Sequence, residues 1–244
     1  MLRKIIHQLL RSLKWIFVIL VGLLLIHLWD FFSIYSDQLL LLTYQHLRMV
    51  ALAMPPAILL GIGIGILIYR QNQLSTLAIA VAGIIMTIPS IALFGIMIPA
   101  LAPFGAGVGT VPAVIALILY SQLPIIRNTY VALNSVPRDT IRAGRGMGLS
   151  NWQILWKIEI PLAVPTILTG IRHAVVIGIG IAAVAAYIGG GGLGRWIFGG
   201  IRRTYPDMII AGGLVVSLLA IGVDVGLRKV RDWLTVTKLV SGEG

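Results

Sequence analysis

Six long apolar runs separated by short polar intervals make up almost the whole chain. They extend from about Lys14 to Phe32, Leu47 to Tyr69, Leu74 to Ala100, Val111 to Ile126, Pro161 to Ile188 and Met208 to Leu227. Each is near the ~20 residues that an α-helix needs to cross a bilayer, so the pattern predicts an all-α polytopic membrane protein with about six transmembrane helices. The fourth run is short, with Pro124 marking a bend in its helix. The third is long and holds Pro89 and Pro99, which predicts a kinked or broken span.

Composition agrees with lipid as the solvent. Of 244 residues 58% are hydrophobic and 11% charged, with a mean hydropathy of +0.98, far from the balance of a soluble domain. The net charge of +11 does not point to nucleic acid, because the basic residues flank apolar runs and form no aromatic-interleaved patch. They serve better as topology determinants. Arg3, Lys4, Arg11 and Lys14 precede the first run, and Arg70 lies in the second connection. Arg127, Arg138, Arg142, Arg145 and Lys157 lie in the fourth connection, and Arg228, Lys229, Arg231 and Lys238 follow the last run. All fall on one side if both termini are cytoplasmic; Arg48 and the group Arg195, Arg202 and Arg203 are the misfits. The N-terminal run resembles a signal peptide, but no small-x-small site follows it before Trp29-Asp30, so an uncleaved first span is the reading. There is no cysteine, hence no disulfide framework and no thiolate chemistry.

The fourth connection, about 127–160, carries most of the polar information. Val136-Pro137-Arg138-Asp139 reads as a helix start, with Asp139 placed to favour the helix dipole. Gly144, Gly146 and Gly148 interrupt that helix, Ser150 is an N-cap for a second one over Asn151 to Ile160, and Pro161 begins the next span. Trp152 and Trp156 share a face of the second helix. Such a helix–glycine turn–helix suits a docking element for a soluble partner, and equally an interfacial helix lying on lipid headgroups.

These residues resemble the binding-protein-dependent ABC importer permeases. The family signature reads Glu-Ala-Ala, three residues, Gly, nine residues, then Ile-x-Leu-Pro. Here the triplet is Arg142-Ala143-Gly144, the glycine is Gly148, and the end is Ile158-Glu159-Ile160-Pro161. An arginine therefore stands where the family has an acid. Ile88-Pro89-Ser90-Ile91, Leu123-Pro124-Ile125-Ile126-Arg127-Asn128, Gly170-Ile171-Arg172 and Tyr187-Ile188-Gly189-Gly190-Gly191-Gly192-Leu193-Gly194 are similar to the glycine betaine/carnitine/choline branch.

The resemblance implies a type I (MetI-like) importer permease in a bacterial inner membrane. Residues 1–46 would be an N-terminal tail, first span and outer loop; 47–229 the permease core with its coupling loop; and 230–244 a cytoplasmic tail. It further implies a cytoplasmic ABC ATPase dimer that holds the ATP and magnesium, a second permease subunit, identical or related, and an extracytoplasmic substrate-binding protein. No cofactor is expected on this chain, which lacks a Gly-x-x-x-x-Gly-Lys-Ser/Thr phosphate loop.

Several residues keep two readings. Gly189, Gly190, Gly191, Gly192 and Gly194 form a hinge or gate, which the resemblance favours, or a tight turn before a short amphipathic segment. Pro89 and Ser90 break the third span beside the path, or merely bend it. Gly61 and Gly65 share a helix face for close packing, inside one subunit or between two. Arg172 lies on the path, or reaches back to the headgroups. Asp224 and Arg228 suit a helix-surface ion pair. His173 has no second ligand at metal-binding spacing. Of the rival classes, a serine intramembrane protease would use Ser90 and His173, but Ser90 lacks flanking glycines. An aspartyl type has only Asp224, and a channel would need a filter or charged ring that does not occur.

Overall fold

The computed structural model describes residues 15–16, 19–20, 22–23 and 26–240, with side chains up to Trp233. Every regular element among them is helical: α1 (Trp29–Ile34), α2 (Ser36–Ile68), α3 (Asn72–Thr87), α4 (Ser90–Leu101), α5 (Thr110–Asn134), α6 (Arg138–Gly146), α7 (Asn151–Ile154), α8 (Ile160–Val184), α9 (Gly194–Arg203) and α10 (Pro206–Val240). A π-helical turn, Leu155–Glu159, joins α7 to α8 without a break, and 3-10 turns, Ala102–Phe104 and Ala185–Ile188, extend α4 and α8.

Four of these helical stretches are long and apolar enough to cross a membrane: Ser36–Ile68, Thr110–Asn134, Asn151–Ile188 and Pro206–Trp233. A fifth is the pair α3 and α4, bent by 96° at the Pro89 break. The first apolar run, Lys14 to Phe32, is described in part, and α1 lies at its end. Large apolar side chains are exposed along every span, Leu59 and Leu67 at 75% and 74% among them, a continuous apolar surface that suits acyl chains rather than water.

Helix α5 is central, packed by α2 along one side and α8 along another. Close approach comes from small residues: a Cβ on Gly61 would meet Ile125 at 2.6 Å, and one on Gly65 would meet Thr129 at 2.6 Å. The Gly61/Gly65 face therefore packs within one subunit, against α5. Ala53, Ala113, Ala116 and Ala182 continue the pattern around buried Phe94, Leu117 and Ile179. The third run breaks where the residue before a proline disfavours the helical region, and Ile88 is extended at ψ 125°. Its freed carbonyl accepts a hydrogen bond from the Tyr120 hydroxyl at 2.6 Å, which satisfies a half-buried acceptor within the span.

Three helices outrun their apolar segments. Helix α2 begins at Ser36, α5 runs on through Arg127 to Asn134, and α10 extends to Val240. The polar flanks of these runs have no competing caps or breakers, so the helix propagates past the membrane-embedded portion.

Candidate functional site

The polar chemistry gathers at two ends of the bundle, one rich in arginine and one rich in glycine. At the basic end, Pro137 is the N-cap residue that launches α6, and Asp139 occupies its first turn. Arg142 is exposed and its Nη1 donates to Asp139 at 3.2 Å. Gly144 is buried, and a Cβ there would meet Ile158 Cδ1 at 2.7 Å, so α6 folds flat onto the helix that follows. Gly148 then turns the chain at φ +80°, a conformation that costs an L-residue about 1–2 kcal/mol. Its N–H donates to the Arg145 carbonyl at 2.9 Å, and that of Leu149 to the Gly144 carbonyl at 3.1 Å, closing the end of α6.

Ser150 starts α7 with a complete capping box. Its hydroxyl accepts from the Gln153 N–H at 3.3 Å, while Gln153 Oε1 accepts from the Ser150 N–H at 2.9 Å. Nothing separates this helix from the membrane span. Asn151–Ile188 is one stretch of 38 residues, and Pro161 sits in the first turn of α8 rather than opening a new helix. The widened π turn just before it relieves the clash that a proline ring makes with the preceding turn.

That π turn also buries Glu159, whose side chain is 4% exposed. Tyr69 Oη donates to its Oε2 at 2.8 Å, and Arg70 Nη2 donates to both carboxylate oxygens at 3.1 and 3.3 Å. Burial, reinforced by Glu159, pushes the Tyr69 phenol well above its ordinary range, so it stays protonated and donating. The Tyr69 carbonyl in turn accepts from Asn134 Nδ2 at 3.1 Å. The end of α2, the end of α5 and the root of α8 are thus tied at one point. Around it opens a cleft of about 410 Å³ lined by Arg70, Arg138, Arg142 and Arg145, with Glu159 at its wall.

Sequence reasoning missed this clamp. Its one signal was Glu159 itself, the sole acid between Asp139 and Asp207, set between Ile158 and Ile160. Ala143 is exposed and Ile158 half-buried against Gly144, while Trp152 and Trp156 are exposed with their rings edge to face at 5.5 Å.

At the glycine end the stretch from Gly189 to Gly194 is packed and bonded. Gly189, Gly191 and Gly192 have φ of +80°, +83° and +74°, and the Gly192 N–H donates to Gln45 Oε1 at 3.0 Å. Gly190, Gly191, Gly192 and Gly194 are buried, whereas Gly189 is exposed. Beside them His46, fully buried on α2, places Nε2 2.9 Å from the Ile179 carbonyl of α8. Hydropathy gives no sign of this second cross-helix tie, because it starts the apolar run at Leu47, one residue past His46. Pro89 is exposed and Ser90 half-buried at the α3–α4 break, away from both clusters in sequence but next to Tyr120 of α5 through the Ile88 carbonyl. Arg172 does not stand alone: its Nη1 lies 3.2 Å from Asp224 on α10, and Arg228 Nη2 lies 2.6 Å from the same carboxylate. The Asp224–Arg228 surface pair is therefore one half of a three-residue network joining α8 to α10, where an ion pair in lipid lowers the cost of each charge.

Comparison with known proteins follows the same lines. The family described as binding-protein-dependent transport system inner membrane component matches residues 57–234. The osmoprotectant import permease protein OsmW of Salmonella typhimurium is 50% identical over 194 residues, 80% of this chain and 90% of that protein. The carnitine transport permease protein OpuCB of Listeria monocytogenes is 40% identical over 205 residues, 84% of this chain and 92% of that protein. Among solved structures, an inward-facing conformation of the MetNI methionine ABC transporter superposes with a TM-score of 0.71 at 22% identity, over 80% of this chain and 95% of that one, a likeness of fold.

Proposed function

The chain belongs to the binding-protein-dependent transport system inner membrane components, as a permease subunit of an ABC importer in the inner membrane, and from that premise we propose that it carries an osmoprotectant such as glycine betaine, choline or carnitine. The names of its relatives supply the substrate class. In this reading both termini are cytoplasmic, and the basic end faces a separate ATPase dimer that binds ATP and magnesium. A second permease subunit, identical or related, completes the path, and an extracytoplasmic binding protein delivers substrate at the glycine end.

The observation that carries the coupling role is the unbroken helix Asn151–Ile188. At 1.5 Å per residue it is a rod of about 57 Å, running from the capped docking turn through the span to the glycine cluster. A movement imposed on α7 by closure of the ATPases is delivered along it without a flexible joint, which is what a two-state device requires. Gly189 to Gly192 with Gly194 form the outer gate in this scheme, and Pro89-Ser90 contributes the broken span beside the path.

The test is purification of the tagged chain from native membranes, reconstitution, and uptake of labelled betaine, choline and carnitine. Co-purification of a Walker-motif ATPase and a binding protein, with ATP-dependent uptake, is expected. Recovery of the chain alone, together with ATP-independent conduction, would replace the importer by a channel.

Gly148→Val is expected to separate the two activities. Its Cβ would meet nothing within 4 Å, so the penalty lies in the backbone at φ +80° and reorients α7 without disturbing the core. Basal ATP hydrolysis should survive in the complex while stimulation by loaded binding protein falls about 5- to 30-fold, as a strain of about 1–2 kcal/mol implies. Stimulation equal to wild type would remove Gly148 from the coupling element.

A further inference from the structure

We infer that the arginine-lined cleft of the basic end is a receptor for carboxylate side chains of the cytoplasmic ATPase, with this chain supplying the cations and its partner the anions. The inference rests on the docking proposed above and adds its chemistry. Arg70, Arg138, Arg142 and Arg145 line a cleft of about 410 Å³ in which Glu159 is the single carboxylate. Glu159 is already engaged by Tyr69 and Arg70. Among the described residues Arg142 pairs with Asp139 alone, with side chains 74% and 93% exposed, and such pairs hold weakly in water. Neither Arg138 nor Arg145 has a carboxylate partner among the described residues. Guanidinium groups converging on one half-enclosed space repel one another until an anion enters, and their planar forks match a carboxylate in bidentate fashion.

The adjoining surface indicates that the anion arrives on a protein. Met147, Trp152 and Trp156 are all more than half exposed, immediately beyond the arginines on the same helix–turn–helix. Aromatic anchors beside arginines are the composition of interface hot spots, where a charge pair is desolvated by its apolar surround. The element that presents both features is the one that continues into α8, so a partner seated there holds the rod of 38 residues. Three arginines without a buried counter-charge at this contact predict a matching acidic lining on the ATPase.

The experiment compares the wild-type complex with a triple variant, Arg138→Glu, Arg142→Glu and Arg145→Glu, and with the charge-preserving Arg→Lys triple, in nanodiscs containing phosphatidylglycerol. The dissociation constant for the native ATPase is measured at low and high ionic strength. Charge reversal should weaken binding about 30-fold or more, and the lysine triple far less. Wild-type affinity should fall steeply with salt. Acid-to-arginine changes in the ATPase residues that cross-link to the cleft should restore binding to the reversed triple. Unchanged ATPase affinity in the reversed triple overturns the inference while leaving the docking intact, provided Trp152→Ala with Trp156→Ala does weaken it. Unchanged ATPase affinity with lost retention of phosphatidylglycerol would assign the cleft to lipid instead. If wild type binds no ATPase at all, it is the functional reading that fails.

Discussion

Replacing Gly194 by valine is expected to abolish the folded protein, and even alanine there should be severe. A Cβ at this position would overlap the carbonyl oxygen of Ala183, with the Ala183 carbonyl carbon at 2.7 Å and the Ala186 Cβ at 2.9 Å behind it. Backbone at the end of α8 cannot rotate aside as a side chain would, so α9 must lift away from the bundle. That would uncover Trp196, 1% exposed and in edge-to-face contact with Phe31 at 5.0 Å. Overpacking against backbone and loss of a buried tryptophan together put the expected cost above about 4 kcal/mol. The check is the yield of detergent-stable protein and its thermal unfolding, with Gly213→Ala, whose Cβ meets nothing within 4 Å, as control. Gly194→Ala protein that melts with wild type would show that α9 does not pack on α8 as described.

Glu159→Ala is expected to have the next largest effect, and on coupling more than on folding. It strands the Tyr69 hydroxyl and frees Arg70, the two donors that tie α2 to the root of α8. Loss of one partner of a fully buried ion pair costs about 3–5 kcal/mol. Arg70 is 42% exposed and can turn to water, so about 2 kcal/mol is expected here. The larger consequence is mechanical, because α7 could then move without carrying α2. ATP hydrolysis should continue while uptake per ATP falls. Tyr69→Phe should show the same uncoupling in milder form, at about 1 kcal/mol. A double-mutant cycle of Glu159→Ala with Arg70→Ala measures the pair directly. If both singles transport at wild-type efficiency, the clamp is structural only.

Much of the bundle was legible because its determinants act within one helical turn. The apolar runs, the break at Ile88-Pro89, the start of α6 at Pro137, the Ser150 cap and the turn at Gly148 all arise from interactions spanning at most a few residues. The ends of α2, α5 and α10 were not legible, because hydropathy marks where lipid begins and not where a helix stops. The continuity of Asn151–Ile188 was missed for a related reason. A proline in the first turn of a helix and a proline passed over by a widened turn look alike in sequence.

Local sequence was enough to show that this chain lives in lipid and that its fourth connection carries the family signature. Only the three-dimensional packing pairs these polar side chains with their partners: Glu159 with Tyr69 and Arg70, Asp224 with Arg172, His46 with the Ile179 carbonyl. Those partners lie tens of residues or more apart, up to 133 in the case of His46. Nothing local selects among them; they are chosen by how small residues let α2, α5 and α8 approach, and then by the cost of leaving a polar group unpaired in hydrocarbon.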